Sequence, residues 1–217
     1  IENYTPRVLE SFDLDWDVVH ATNPSAVMVR MPAFGLTGPW RDRPGFAQTM
    51  EQVTGLAWMT GHADDQPRIQ RGPCDPNGGV HAAIAALAGL ARRDRTGTGC
   101  LVEAPMFEAA LNVAAELVLE WTAYGNRIGR DGNRGPAAAP QNVYATDRPE
   151  AWLALACETD AQWRALAAIV GRPELADDPA LATRAGRRRA HDDLDKIVGE
   201  WAGGRDVDDT VEELLAV

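Results

Sequence analysis

The chain has 217 residues, 45% of them hydrophobic and 24% charged, with 32 acidic against 21 basic side chains and a formal net charge of -11. That length can bury a sizeable core, in one large domain or two small ones, and the acidic balance argues against a nucleic-acid partner. No apolar run reaches the ~20 residues a membrane span needs and nothing reads as a signal peptide, so a cytoplasmic protein without a membrane partner is expected.

In chain order, residues 1–6 read as the end of a buried strand that turns into a short helix over 7–12, with a second helix over 15–20. Asn23-Pro24-Ser25 breaks the chain. Residues 26–31 then form a near-continuous apolar strand of the kind found in two-sided parallel sheets. The loop from Ala33 to Trp40 follows at the carboxyl end of that strand, where open α/β sheets place ligands. Gly35 and Gly38 either let backbone approach a ligand or simply make a Gly-Pro turn. A helix over 46–53 should stop at Gly55, and 60–67 should be a polar surface loop.

The alanine-rich segment 77–95 predicts a long helix, with Val80 to Ala91 as its packed body. Arg92, Arg93 and Arg95 suit its C-terminal dipole better than a phosphate. A strand over 100–103 and one helix from Pro105 to about Tyr124 come next. The Gly/Arg/Pro/Ala-rich stretch 125–140 reads as a linker or mobile loop. Beyond it, 141–146 and 151–157 alternate as a hairpin, Thr159-Asp160 caps a helix through Val170, and helices are expected near 192–201 and 208–215. The arginine-rich run 184–189 is expected as a solvated helix face. The fold class is therefore α/β, with 1–124 as a large domain, 125–140 as linker and 141–217 as a smaller α+β domain.

Three cysteines, Cys74, Cys100 and Cys157, are odd in number and lack metal-ligand spacing, so reduced thiols and no metal site are expected. The stretch from Arg71 to His81 carries the chemistry. Pro73 and Pro76 stiffen the backbone around Asp75, which is placed just before a helix. A carboxylate there is an N-cap, a nucleophile or both. Neighbouring Cys74 is a nucleophile or a buried neutral thiol.

Taken together, Ile1-Glu2-Asn3-Tyr4-Thr5-Pro6, Phe34-Gly35-Leu36-Thr37-Gly38-Pro39, Arg43-Pro44-Gly45-Phe46 and Thr60-Gly61 begin an ordered series. Asp75-Pro76-Asn77-Gly78-Gly79-Val80-His81 and the run from Arg95 to Glu103 complete it. The series resembles the class III CoA-transferase family, of the formyl-CoA and carnitine CoA-transferase kind. The resemblance implies a Rossmann-like large domain, present here in part as in an internal fragment, a smaller α+β domain and an interlocked homodimer. It implies no permanently bound cofactor: coenzyme A enters as co-substrate, and the partners are an acyl-CoA and a small carboxylic acid.

The same resemblance makes Asp75 the nucleophile, through an aspartyl anhydride and an aspartyl-CoA thioester. It assigns coenzyme A contacts to Asn3, Tyr4, Arg7, Val8, Phe34 and Gly35. Gly78 and Gly79 become candidates for stabilising the oxyanion, or for close helix packing. Departures from the family pattern fall at Ser11, where some members carry a basic residue, at Pro32, and at 135–140 in place of a glycine-rich loop. Acyl-CoA epimerases of the same superfamily are one alternative. They resemble a His-Asp pair where Phe46-Ala47 stands here, which removes one of two bases. A non-catalytic CoA-binding or partner subunit is another.

Overall fold

A computed structural model describes residues 1–216, which divide into two compact units, Ile1–Arg130 and the residues from Asp131 onward. The division falls inside the stretch 125–140. Among the described residues, no helix is long and apolar enough to cross a membrane.

The first unit opens with α1 (Pro6–Glu10) and α2 (Trp16–Thr22), the latter capped by Asp15, which accepts from the Val18 N–H at 3.1 Å. Strand β1 (Val27–Arg30) is followed by α3 (Ala47–Val53), α4 (Leu56–Met59) and α5 (Cys74–Thr96) before β2 (Cys100–Glu103) pairs with β1 in parallel, Val27 opposite Cys100 and Arg30 opposite Glu103. Parallel neighbours need a long crossover, and α5 lies across both strands to provide it. Gly89 permits that approach: a Cβ there would stand 2.8 Å from Val27 Cγ1 and 3.0 Å from Val102 Cγ2. Glu2 adds a single parallel bridge to Arg30, so the start of the chain lies beside the sheet, but it is not the buried strand end expected, since Ile1, Asn3 and Tyr4 are exposed. The buried Arg30 guanidinium pairs with Glu2 at 2.5 Å and donates to the Pro6 carbonyl at 3.3 Å, which fixes the entry to α1.

The single helix expected over 105–124 is two, α6 (Met106–Val113) and α7 (Ala115–Tyr124). They meet at Ala114, which is buried at φ -87°, ψ 11° and belongs to an apolar cluster with Ala33, Ala47, Met50, Leu56, Cys74 and Ala110. Packing of Ala114 into that cluster outweighs the helical preference of the surrounding alanines and leucines.

In the second unit, β3 (Gln141–Ala145) and β4 (Trp152–Ala156) form the expected hairpin, Gln141 opposite Ala156 and Tyr144 opposite Leu153. Thr159 and Gln162 cap α8 (Asp160–Ile169) reciprocally, the Thr159 hydroxyl accepting from Gln162 N–H at 3.2 Å and the Gln162 side-chain Oε1 from Thr159 N–H at 2.9 Å. A 3-10 turn over Pro173–Ala176 precedes α9 (Arg184–Arg189), α10 (His191–Ala202) and α11 (Val207–Leu215). The last helix is capped by Asp206, two residues before the expected start, whose carboxylate accepts from the Asp208 and Asp209 N–H groups. The arginine run is not uniformly solvated. Arg187 is fully buried because α9 turns it onto three acceptors: it donates to Ala139 O at 2.9 Å, Leu181 O at 3.1 Å and the Asp160 carboxylate at 3.0 Å. Tyr144, Leu153, Trp163, Leu166, Leu194 and Val198 supply the core.

One half-buried polar cluster is expected to make this unit sensitive to acid. Asp195 accepts from Arg134 at 2.5 Å, Asn142 at 2.9 Å and the Tyr144 hydroxyl at 2.7 Å. Beside it, His191 Nε2 accepts from the Gln141 N–H at 2.9 Å, a bond that requires the neutral ring. Burial pushes the His191 pKa below the usual histidine range, outweighing the opposing pull of Asp195. The unfolded chain therefore binds the proton first. The stabilisation is fully present above about pH 6.5 and is lost as pH falls through the folded value. Urea unfolding should show lower stability at about pH 5.5 than at about pH 7.5, and His191→Gln should flatten that difference. An unchanged slope in the variant would remove His191 from the account.

Candidate functional site

Helix α5 does not begin where sequence alone placed it. Its first residue is Cys74, its N-cap position is Pro73, and Asp75 lies inside the first turn. Asp75 is therefore not the cap. The proline pair starts the helix earlier, because Pro suits the first helical turn and Pro76 lacks only an N–H that the helix does not use. The dipole argument survives, since a carboxylate in the first turn still meets the positive end. Asp75 is exposed, and among the described residues its carboxylate makes no hydrogen bond or ion pair.

What precedes α5 is unusual backbone. Arg71 has φ +65° and Gly72 φ +104°, consecutive left-handed residues of which only the second is a glycine. Both N–H groups point to one carboxylate: Glu51 of α3 accepts from Arg71 at 3.2 Å and from Gly72 at 2.6 Å. Glu51 is fully buried. Neither the polar run around Gln48 and Gln52 nor the Arg71-Gly72 pair carries a sign of this in the sequence, because the acceptor role is set by where two main-chain N–H groups point.

On the other flank, Asn77 Nδ2 donates to the Ala109 carbonyl of α6 at 2.7 Å. Cys74 is buried in the same apolar cluster as Met50 and Ala110. Desolvation, then the charges of Glu51 and Asp75, push its thiol pKa up. Cys157, in the second unit, is pushed up to about 11 by burial. Neither is an activated thiolate. In the native protein a thiol reagent should modify the half-buried Cys100 first and leave Cys74 and Cys157 intact, as timed alkylation and peptide mass mapping would show. Labelling of Cys74 as fast as Cys100 would restore it as a nucleophile.

Gly78 and Gly79 lie within α5, beyond its first turn. The N–H groups the helix leaves free belong to Cys74 and Asp75: Pro76 has none and Asn77 donates to Pro73 O at 3.2 Å. Gly78 is buried, its absent Cβ 3.5 Å from Met106 Cγ, whereas Gly79 is exposed with nothing within 4 Å of that position.

Phe34 packs against the cluster that contains Cys74, with its ring 5.4 Å from Trp40 and 5.9 Å from Phe107. Gly35, at φ +93°, sits under Glu103, where a Cβ would meet Oε1 at 3.0 Å; the same oxygen accepts from the Leu36 N–H at 2.6 Å. The N–H groups of Met106 and Phe107 bond to the carbonyls of Pro32 and Ala33. Helix α6 thus anchors both the 33–36 loop and the turn that carries Asp75. Asn3, Tyr4 and Arg7 are exposed and Val8 is half-buried, around α1. No hydrogen bond among the described residues joins that group to Asp75. No cluster of three or more His, Cys, Asp or Glu side chains among the described residues could hold a metal ion.

Comparison with known proteins aligns residues 1–216 with the model of CoA-transferase family III. The chain is 35% identical over 202 residues to a succinyl-CoA:D-citramalate CoA-transferase of Chloroflexus aurantiacus, covering 93% of this chain and 50% of that one. It is 30% identical over 196 residues to an acetyl-CoA:oxalate CoA-transferase of Acetobacter aceti, covering 89% and 50%. A crystal structure of a CAIB/BAIF family protein from Brucella suis superposes with a TM-score of 0.86 at 28% identity, over 99% of this chain and 57% of that protein. The chain spans about half the length of the curated relatives it matches.

Proposed function

The chain belongs to CoA-transferase family III, and on that premise we propose that it supplies the nucleophile, Asp75, of an acyl-CoA:carboxylate CoA-transferase. The observation that carries the reading is an exposed carboxylate, without a hydrogen-bond or ion-pair partner among the described residues, in the first turn of a helix whose start is tied down on both flanks.

The Asp75 carboxylate attacks the thioester carbonyl of the donor, the C–S bond breaks, and a mixed anhydride forms with release of CoA thiolate. The thiolate then attacks the aspartyl carbonyl, giving an aspartyl-CoA thioester and the donor acid as its carboxylate. The acceptor carboxylate attacks that thioester, expels CoA thiolate and forms a second anhydride. Attack of the thiolate on its acyl carbonyl yields the new acyl-CoA and restores Asp75. Each step exchanges one anion for another, and dividing the exchange keeps every barrier low.

The free N–H groups of Cys74 and Asp75 and the positive helix end would steady the oxyanions, while Gly79, with open space at its missing Cβ, leaves room for the substrate. Asn3, Tyr4, Arg7 and Val8 would contact coenzyme A directly; Phe34 and Gly35 would shape the adjoining loop. We place the first unit in a Rossmann-like domain on the strength of the parallel β1–β2 pair with its helical crossover. In the protein that carries this chain we expect an interlocked homodimer working in the cytoplasm.

The epimerase reading loses support, because Phe46 is an exposed aromatic and Ala47 a buried methyl, and neither can move a proton. The discriminating experiment incubates the protein with succinyl-CoA or acetyl-CoA and hydroxylamine, then maps peptides. An aspartyl hydroxamate at Asp75 is the expected product. Adduct that persists in Asp75→Ala would refute the assignment, and no adduct with any acyl-CoA would favour a non-catalytic CoA-binding subunit.

A further inference from the structure

We propose that Glu51 is a positioning residue for Asp75, its buried carboxylate holding the turn from which the nucleophile is presented. The inference rests on the reading of Asp75 as nucleophile and adds to it the part of the fold that aims it.

A fully buried carboxylate has to be matched by donors, and among the described residues Glu51 has no cationic partner. Its donors are two consecutive main-chain N–H groups, Arg71 at 3.2 Å and Gly72 at 2.6 Å. Arg71 is held at φ +65°, a conformation side-chain-bearing L residues seldom adopt. Such backbone persists only where its surroundings determine it, and Glu51 is what the Arg71 N–H meets.

From Gly72 the chain has little freedom before the nucleophile. Pro73 fixes its own φ, and Cys74 is buried in the apolar cluster that also contains Met50, the neighbour of Glu51 on α3. Asp75 follows directly. Two attachments to α3, one polar through Glu51 and one apolar through Cys74, therefore set the position and heading of the first turn of α5. A displacement of about 1 Å at a nucleophile can cost ~100-fold in rate. The placement thus gives Glu51 a part in catalysis without contact with substrate.

The test compares Glu51→Gln and Glu51→Met in the protein that carries this chain, with Asp75→Ala alongside. Glutamine keeps the size and one acceptor oxygen, so kcat should fall about tenfold; methionine keeps neither acceptor, so kcat should fall about 100-fold. KM for the acyl-CoA should stay within about twofold, because Asn3, Tyr4, Arg7 and Val8, to which direct coenzyme A contact is assigned, lie around α1, and adduct formation should slow in step with kcat. A purely structural glutamate would lower thermal stability and leave kcat per folded molecule unchanged, and that result in either variant overturns the proposal. If Glu51→Met does not fold, Glu51→Gln decides alone. Adduct that survives in Asp75→Ala would mean that the underlying nucleophile assignment has failed, whichever way the Glu51 variants behave.

Discussion

Asp75→Ala is expected to lower kcat for CoA transfer on the order of 10⁴-fold or more, the scale seen when the nucleophile of a covalent mechanism is removed. Asp75→Asn should lose as much, since the amide matches the carboxylate in shape but does not attack a thioester. Asp75→Glu keeps the charge and moves it by one methylene, so a loss on the order of 100-fold is expected from misplacement alone. None of these variants should unfold the protein. Asp75 is exposed and makes no side-chain bond among the described residues, so only its interaction with the helix dipole is lost, about 0.3–1 kcal/mol. Steady-state kinetics beside thermal melts separates the two effects. An Asp75→Asn protein that transfers CoA within about tenfold of the parent rate would end the proposal.

Arg187→Met should produce the largest loss of stability of any single change considered. The guanidinium is completely buried, and its removal strands the carbonyls of Ala139 and Leu181 and frees one side of Asp160. Methionine fills much of the volume but offers no donor. Asp160 is half exposed and keeps its water, so the loss comes from the two buried carbonyls, at about 1–3 kcal/mol for each one left without a donor. Arg187→Lys should cost less, about 2 kcal/mol, because an ammonium can reach some of the acceptors but cannot span all three. The guanidinium also lies 5.7 Å from the Trp163 ring centroid, so part of the loss should appear as altered tryptophan fluorescence before unfolding. Urea titration of the Met variant gives the value, and a change below about 1 kcal/mol would contradict the burial argument.

Much of the architecture was legible because the relevant signals are local. The apolar run of β1, the strand 100–103, the alternation on both sides of Asp147-Arg148-Pro149-Glu150 and the Thr159 cap all act within a few residues. The break at Ala114 was not legible. Val113 and Ala115 on its two sides carry no stop signal, and the cause is a cluster assembled from residues 33–117. Arg187 looked like its neighbours in a run of arginines, since burial is decided by carbonyls at positions 139 and 181.

At the candidate site, the order of motifs singles out Asp75, and the structure places that residue inside the first turn of α5 and not at its cap. The pattern of prolines does not say by itself whether Pro73 precedes the helix or begins it. Glu51 was missed for a different reason. Its partners are main-chain N–H groups twenty and twenty-one residues away, and a side-chain pattern contains no record of where backbone donors point.

Glu51 and Glu103 use their charge in the same manner. Each carboxylate accepts from main-chain N–H groups, Glu51 before α5 and Glu103 at the loop after β1, and neither forms an ion pair among the described residues. Two loops are thus framed by carboxyl groups occupied with backbone. In the proposed exchange no proton is consumed or released at any step, since carboxylates and a thiolate only trade places. The site can therefore dispense with a proton inventory: carboxylates committed to architecture are not missing bases, and the reaction beside them asks for none.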